Sequence, residues 1–409
     1  MEIFHGSFFC LKVLDVLDVL DVLDAKDHIM EKHQIMYVLA PLAGYTDLPF
    51  RRMCWKQGMD QAYTALIDAG ALIFGNPENS HILARGDDEP WVGVQLMGSR
   101  LDLLEKAAPV LDAMDYDCVD FNMGCPVRKV VQRNAGAALL KTPEHALDCV
   151  RLLRDLIHKP FSVKIRILDD HDPEPTVRFC EQLEAIGVEA IAIHGRLACR
   201  VYSGPVAMDI IKAVREALHI PVTANGGIFG VRSAKALQDG TGCNRLMVAR
   251  GAIGNPWIFR SLADGAEYIP THAEICDAIR EHLEGMVDLY GEQQAMVDGR
   301  KIVLAYMRGR GYHRALKNPI CKMADWSDFE QILASIAADK AADERLGISA
   351  DATLQDIKRT KGTEGTEVFF KVFCICLGTW YILSLPCCLF WNLCGRNAVN
   401  RVRLGTKQP

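Results

Sequence analysis

The chain has no Cys-x-x-Cys pair and no Cys/His group at zinc-ligand spacing, which argues against a structural zinc or an iron–sulfur cluster, and no metal is expected. Its 15 cysteines are scattered through strand-like and helix-like segments, with no cleavable secretory signal before them. Reduced thiols in a cytoplasmic protein are therefore expected; separately, the protein is expected to be monomeric. An excess of positive charge is also lacking, since the net charge is −6, so the overall balance gives no sign of a nucleic-acid partner. The first strand-like segment is followed by PLAGYTDLPF and not by the Gly-x-Gly-x-x-Gly turn of a doubly wound dinucleotide fold.

What is present is a chain of 409 residues, 50% hydrophobic and 24% charged, ordinary for a globular protein and long enough for one large domain and a smaller one. Both ends are unusual. Residues 14–24 read LDVLDVLDVLD, a period-3 repeat that sustains no apolar helix face, so 1–35 is read as a low-complexity extension before a domain starting near Met30 or Met36. Within the tail 346–409, the segment 372–395 carries no charged residue over 24 positions and is long enough to cross a bilayer. Basic residues on both sides fix no orientation, and altered coding sequence is the competing reading.

Between these ends, eight β-type runs alternate with helix-type segments: 36–40, 62–66, 92–96, 118–122, 161–167, 190–194, 221–225 and 245–249. Such alternation predicts an α/β fold with a parallel sheet, and eight units predict a (β/α)8 TIM barrel over 36–262. Thr142 and Pro143 are expected as N-cap and first residue of an intervening helix. From about 272 to 345, longer amphipathic segments predict a small C-terminal all-helical domain.

Chemistry in such barrels gathers at the C-terminal strand ends. There stand Pro41, Leu42 and Ala43 after the first strand, Gln95 on the third, Asn122 and Cys125 after the fourth, and Lys164 and Arg166 on the fifth. His194 and Arg196 follow the sixth, Asn225, Gly226 and Gly227 the seventh, and Ala249 and Arg250 the eighth. Glycines after the last two strands let backbone amides approach a phosphate, with Arg250 as the charged partner. A phosphate-bearing cofactor held there would lie across the mouth within reach of Gln95 and Lys164. Residues 299–324 contain seven Arg or Lys and no acidic residue, interleaved with Tyr306, Tyr312 and His313. That is a local footprint for nucleic acid which the net charge conceals.

APLAGYTDLPFR, VQLMGS, DFNMGCPVRKVVQRNAGAALLK, VKIR, IHGR with YSGP, TANGGI and ARGAIGNPWIF together resemble the tRNA-dihydrouridine synthases, most closely the bacterial type. The resemblance implies an FMN enzyme that uses NADPH to reduce the C5=C6 bond of tRNA uridines. It implies Cys125 as proton donor; Pro41, Leu42, Ala43, Gln95, Lys164, His194, Asn225, Gly226, Gly227, Ala249 and Arg250 at the cofactor; and Asn122, Arg166 and Arg196 at the target base. The chain departs from the family pattern at Gly227, usually Asp, at Ala249, usually Gly, and near Ala65 and Leu66, where a Glu-Met pair is common. Two other readings of the same residues are a flavin-dependent reductase of a free pyrimidine or small enone, and a tRNA-binding protein without catalysis.

Overall fold

Alternation along single strands organises the molecule. In the computed structural model, which describes residues 35–77 and 79–339, nine parallel strands are β1 (Met36–Leu39), β2 (Gln61–Tyr63), β3 (Ile67–Asp68), β4 (Val92–Met97), β5 (Cys118–Met123), β6 (Phe161–Arg166), β7 (Ala190–His194), β8 (Val222–Asn225) and β9 (Arg245–Val248). Each pairs with the next around the sheet, β9 returns to β1, and β2 pairs with both β1 and β4. Eight strands therefore close a TIM barrel. The ninth, β3, continues the line of β2 along β4: Ala62 faces Val92, whereas Ile67 faces Leu96. One extra residue thus lies between β2 and β3, as in a bulge, at the Ala65–Leu66 stretch.

Every second strand residue faces outward and is apolar. Val119, Phe121 and Met123 of β5, and Phe161, Val163 and Ile165 of β6, are fully buried in the main core. With the outward residues of the other strands they share one core with the helices α1 (Leu48–Trp55), α2 (Leu101–Ala113), α3 (Pro143–Leu156), α4 (Glu174–Ile186), α5 (Met208–Ala217) and α6 (Val231–Thr241). The alternate residues face the barrel axis and are largely polar: Cys118, Asp120 and Asn122 from β5, Ser162, Lys164 and Arg166 from β6. Buried polar groups must be hydrogen-bonded or costly, so the interior is a bonded network, with a small apolar layer of Val38, Ala40, Tyr63, Ala192 and Met247 within it.

Pro143 opens α3 with Thr142 at the N-cap position, but the Thr142 hydroxyl donates to the Leu139 carbonyl and makes no cap bond to the helix. The preceding 3₁₀ turn, Gly136–Lys141, offers that carbonyl closer at hand.

Four further helices follow the barrel: α7 (His272–Tyr290), α8 (Glu292–Met307), α9 (Lys317–Lys322) and α10 (Trp326–Ala337). A capping box of Thr271 and Glu274 starts α7. Their core, with Ile279, Leu283, Met296, Tyr306 and Phe329, also takes in Met53 of α1 and Trp257 after β9. At Gly254 (φ +69°) a Cβ would lie 2.2 Å from the Ala305 carbonyl carbon, so only glycine lets α8 approach that loop. No helix among the described residues is long and apolar enough to cross a membrane. The repeat at 14–24 and the tail with its segment 372–395 lie outside the described residues.

Candidate active site

The Cys125 loop hangs from one side-chain oxygen. Asn122 Oδ1, at the end of β5, accepts from the backbone amides of Gly124 at 3.2 Å and Cys125 at 3.0 Å. The Cys125 carbonyl in turn accepts from the Ala137 amide at 3.0 Å. At Gly136 (φ +60°) a Cβ would sit 2.7 Å from that carbonyl, which explains the glycine. The thiol is half-buried, and its pKa is raised from the usual 9.0, chiefly by burial. It is therefore protonated at neutral pH and stands ready as an acid more than as a nucleophile.

Behind Asn122 lies a chain of hydrogen bonds across the barrel. Asn122 Nδ2 donates to Gln95 Oε1 at 2.7 Å, Gln95 Nε2 donates to Asp120 Oδ2 at 2.7 Å, and Ser162 Oγ donates to Asp120 Oδ1 at 2.7 Å. Gln95 is fully buried. Burial pushes the Asp120 carboxyl up to about 6, opposed by the bonds from Gln95 and Ser162 and by the charge of Lys164.

Opposite this chain the mouth is rich in cations. Lys164 Nζ donates to Asn225 Oδ1 at 3.0 Å, and burial, with the nearby Arg166, lowers its pKa to about 8. Arg166 is held by carbonyls: Nε donates to Gly124 at 2.8 Å and Nη1 to Val201 at 2.9 Å, with Leu197 at 3.2 Å and Arg196 at 3.4 Å. Its guanidinium thereby ties the cysteine loop to the loop after β7. His194 is depressed far below the usual imidazole range, first by burial and then by Lys164, Arg166, Arg196 and Arg250. A neutral ring lets Nε2 accept from Arg196 Nη1 at 3.3 Å.

One cleft joins His194, Arg196, Asn225, Gly226, Gly227, Ala249 and Arg250. Gly226 (φ +130°) and Gly227 (φ +75°) bend the backbone there. The Arg250 guanidinium lies 4.0 Å from the centroid of the Tyr202 ring and 5.4 Å from that of Phe229, and no carboxylate lines the cleft. Two half-buried arginines, Arg196 and Arg250, without a compensating acid in the lining suit an anion such as a phosphate. At Gly227 a Cβ would lie 3.9 Å from Arg196 Nη2, so an acid at that position would reach this guanidinium.

The predicted residues thus form two linked groups. Gln95, Asn122 and Cys125 are joined by hydrogen bonds on one side; Lys164 joins the cleft through Asn225 on the other. Pro41, Leu42 and Ala43 follow β1, where the Leu42 amide donates to Thr46 Oγ1 at 2.9 Å. Asp120, Tyr202 and Phe229 were not singled out from sequence. Asp120 was signalled by its inward register in CVDFN and Tyr202 by its place in YSGP, whereas nothing marked Phe229. Of the seven cations in 299–324, Arg300 binds the Met323 carbonyl, Lys301 binds Asp298, and Arg310 binds the carbonyls of Gly254 and Tyr306 and Asn255 Oδ1. Arg314, Lys317 and Lys322 are exposed. Among the described residues no group of three or more His, Cys, Asp or Glu is placed to hold a metal.

Residues 38–343 match the family described as dihydrouridine synthase (Dus). The chain is 32% identical over 276 residues to tRNA-dihydrouridine synthase B of Pasteurella multocida (strain Pm70), covering 66% of this chain and 83% of the relative. It is 32% identical over 275 residues to tRNA-dihydrouridine synthase B of Shewanella oneidensis, covering 66% and 85%.

Proposed function

The chain belongs to the dihydrouridine synthase family, and on that premise we propose that it reduces the C5=C6 bond of uridine in tRNA, with FMN as cofactor and NADPH as reductant. The observation that carries this reading is a protonated thiol, Cys125, fixed at a strand end across the barrel mouth from a cation-lined cleft without a carboxylate. Bound FMN would supply the hydride that C6 of the uracil receives.

In this reading Arg250 and the backbone of Gly226 and Gly227 would hold the cofactor's phosphate, and the Lys164 ammonium, joined to the same cleft through Asn225, would stabilise negative charge on the reduced flavin. Pro41, Leu42, Ala43, Gln95, Asn225 and Ala249 shape the same seat, and His194, kept neutral, donates or accepts without adding charge. Hydride arrival at C6 places enolate character on C5 and O4. The Cys125 thiol then passes its proton to C5, for which it needs no base partner. Asn122 and Arg196 orient the base, and Arg166 holds the loops around it. A uridine must leave its stack to enter, and Arg314, Lys317 and Lys322 would grip the backbone as it does.

Nucleoside mass spectrometry of tRNA from a deletion strain tests the reading, with complementation by wild type or Cys125→Ala. Dihydrouridine should vanish on deletion, return with wild type and stay absent with the variant. Unchanged dihydrouridine on deletion, in cells without a second synthase, would refute the assignment; full recovery with Cys125→Ala would refute only the proton-donor role.

A further inference from the structure

We infer that Asp120 is a positioning residue for the Cys125 thiol, acting through the side-chain amides of Gln95 and Asn122. The proposal rests on Cys125 as proton donor. Each of the two amides could be inserted either way round, with oxygen and nitrogen exchanged. At one end of the chain the Gly124 and Cys125 amides can only donate, so they demand the Asn122 oxygen. At the other end an ionised Asp120 can only accept, so it demands the Gln95 nitrogen. Between them, Asn122 Nδ2 meets Gln95 Oε1 at 2.7 Å. Both ends thus specify the same orientation, and a carboxylate at the barrel axis fixes which atom faces the cysteine loop.

Protonation of Asp120 removes this demand, because a carboxylic acid can donate to Gln95. A Gln95 turned round to accept would present its NH2 to Asn122, and an Asn122 turned in response would set its own NH2 against the two loop amides. The charged or titratable groups facing Asp120 are Lys164 on β6, Cys118 on β5 and Tyr63 on β2. Of these only Lys164 is a cation, and it favours the ionised form.

Asp120→Leu and Asp120→Asn separate positioning from a merely structural role. Asparagine can keep its oxygen toward Gln95 and turn its nitrogen to Ser162, whose hydroxyl reverses to accept; leucine offers nothing. In D120L, kcat should fall about 100-fold, the effect of a small misplacement of a reacting group, with the KM for tRNA unchanged. The wild-type kcat should decline as pH falls through the acidic range; D120N should retain near-wild-type kcat and lack that decline. Iodoacetamide labelling, followed at the Cys125 peptide, should accelerate in D120L and not in D120N, with buried Cys54 and Cys180 protected throughout.

Wild-type kcat in D120L would overturn the proposal, as would labelling of Cys54 and Cys180 in step with Cys125, which would report general loosening. Should D120L fail to fold, persistence of the acidic limb in D120N would overturn it. Cys125→Ala keeps the two readings distinct: full turnover there refutes the proton donor, while the labelling profile still reports whether Asp120 holds the loop.

Discussion

The Lys164 ammonium donates to Asn225 Oδ1 at 3.0 Å, and no carboxylate bonds it among the described residues. Burial holds its pKa at about 8 against the usual 10.5. The folded state therefore disfavours the charged form, and the penalty below pH 8 is on the order of 3 kcal/mol. It shrinks as pH rises from 8 toward 10.5. Lys164→Met should raise the melting temperature of the cofactor-free protein at pH 7, with a smaller gain near pH 10, while flavin binding weakens. Calorimetry at the two pH values checks the sign.

An anion bound beside Lys164 raises its pKa again, so binding near pH 8 takes up a proton. FMN affinity should fall between pH 7 and pH 9 in the wild type and show a weaker dependence in Lys164→Met. Flavin fluorescence titration reads this directly.

Arg250 stands against two aromatic rings, and no acid lines its cleft among the described residues, which leaves its N–H groups for a phosphate. Arg250→Ala should weaken FMN binding by about 10- to 100-fold, the worth of a charge-assisted hydrogen bond. Tyr202→Phe keeps the ring and should bind as the wild type does; Tyr202→Ala should fall between. Equal affinity in Arg250→Ala and the wild type would remove this arginine from the cofactor site.

Asn122→Ala leaves the amides of Gly124 and Cys125 without their acceptor and Gln95 Oε1 without its donor. The cost in stability should be about 1–3 kcal/mol, with turnover reduced more than substrate affinity. Urea denaturation and steady-state kinetics on the same preparation separate the two effects.

Neutralising Arg314, Lys317 and Lys322 together should lower the slope of log affinity against log salt for tRNA by about 2–3. Arg310→Ala should act differently, because Arg310 joins Gly254 and Asn255 to α8. Thermal stability should fall there with little change in salt slope.

Seven of the eight barrel strands were legible to within one residue, and the second ends at Tyr63, three residues before the expected 66; outward apolar residues at period 2 and helical segments between them leave a strong pattern. The extra residue between β2 and β3 was not, since a bulge changes register without changing composition. Thr142 was legible as a cap position, yet its bond goes to Leu139, a partner fixed by the 3₁₀ turn before it. The resemblance implies Arg166 at the target base, but no sequence pattern reveals that carbonyls of residues 196–201 also converge on its guanidinium. The charge run at 299–324 hid a division between cations that hold the fold and cations that face solvent, which only packing decides.

Alternation also makes the barrel intolerant of changes in length. In β5 and β6 the neighbours of each chemical residue are the residues that bury the outer face, so one inserted amino acid would send Asp120 or Lys164 under a helix and Phe121 or Val163 toward the axis. Substitutions can be absorbed one at a time, but a single insertion within either strand exchanges both surfaces at once. Insertion scanning should therefore find these strands closed to added residues while the helix-to-strand loops accept them, so that hydrophobic packing guards the spacing of the polar groups at the axis.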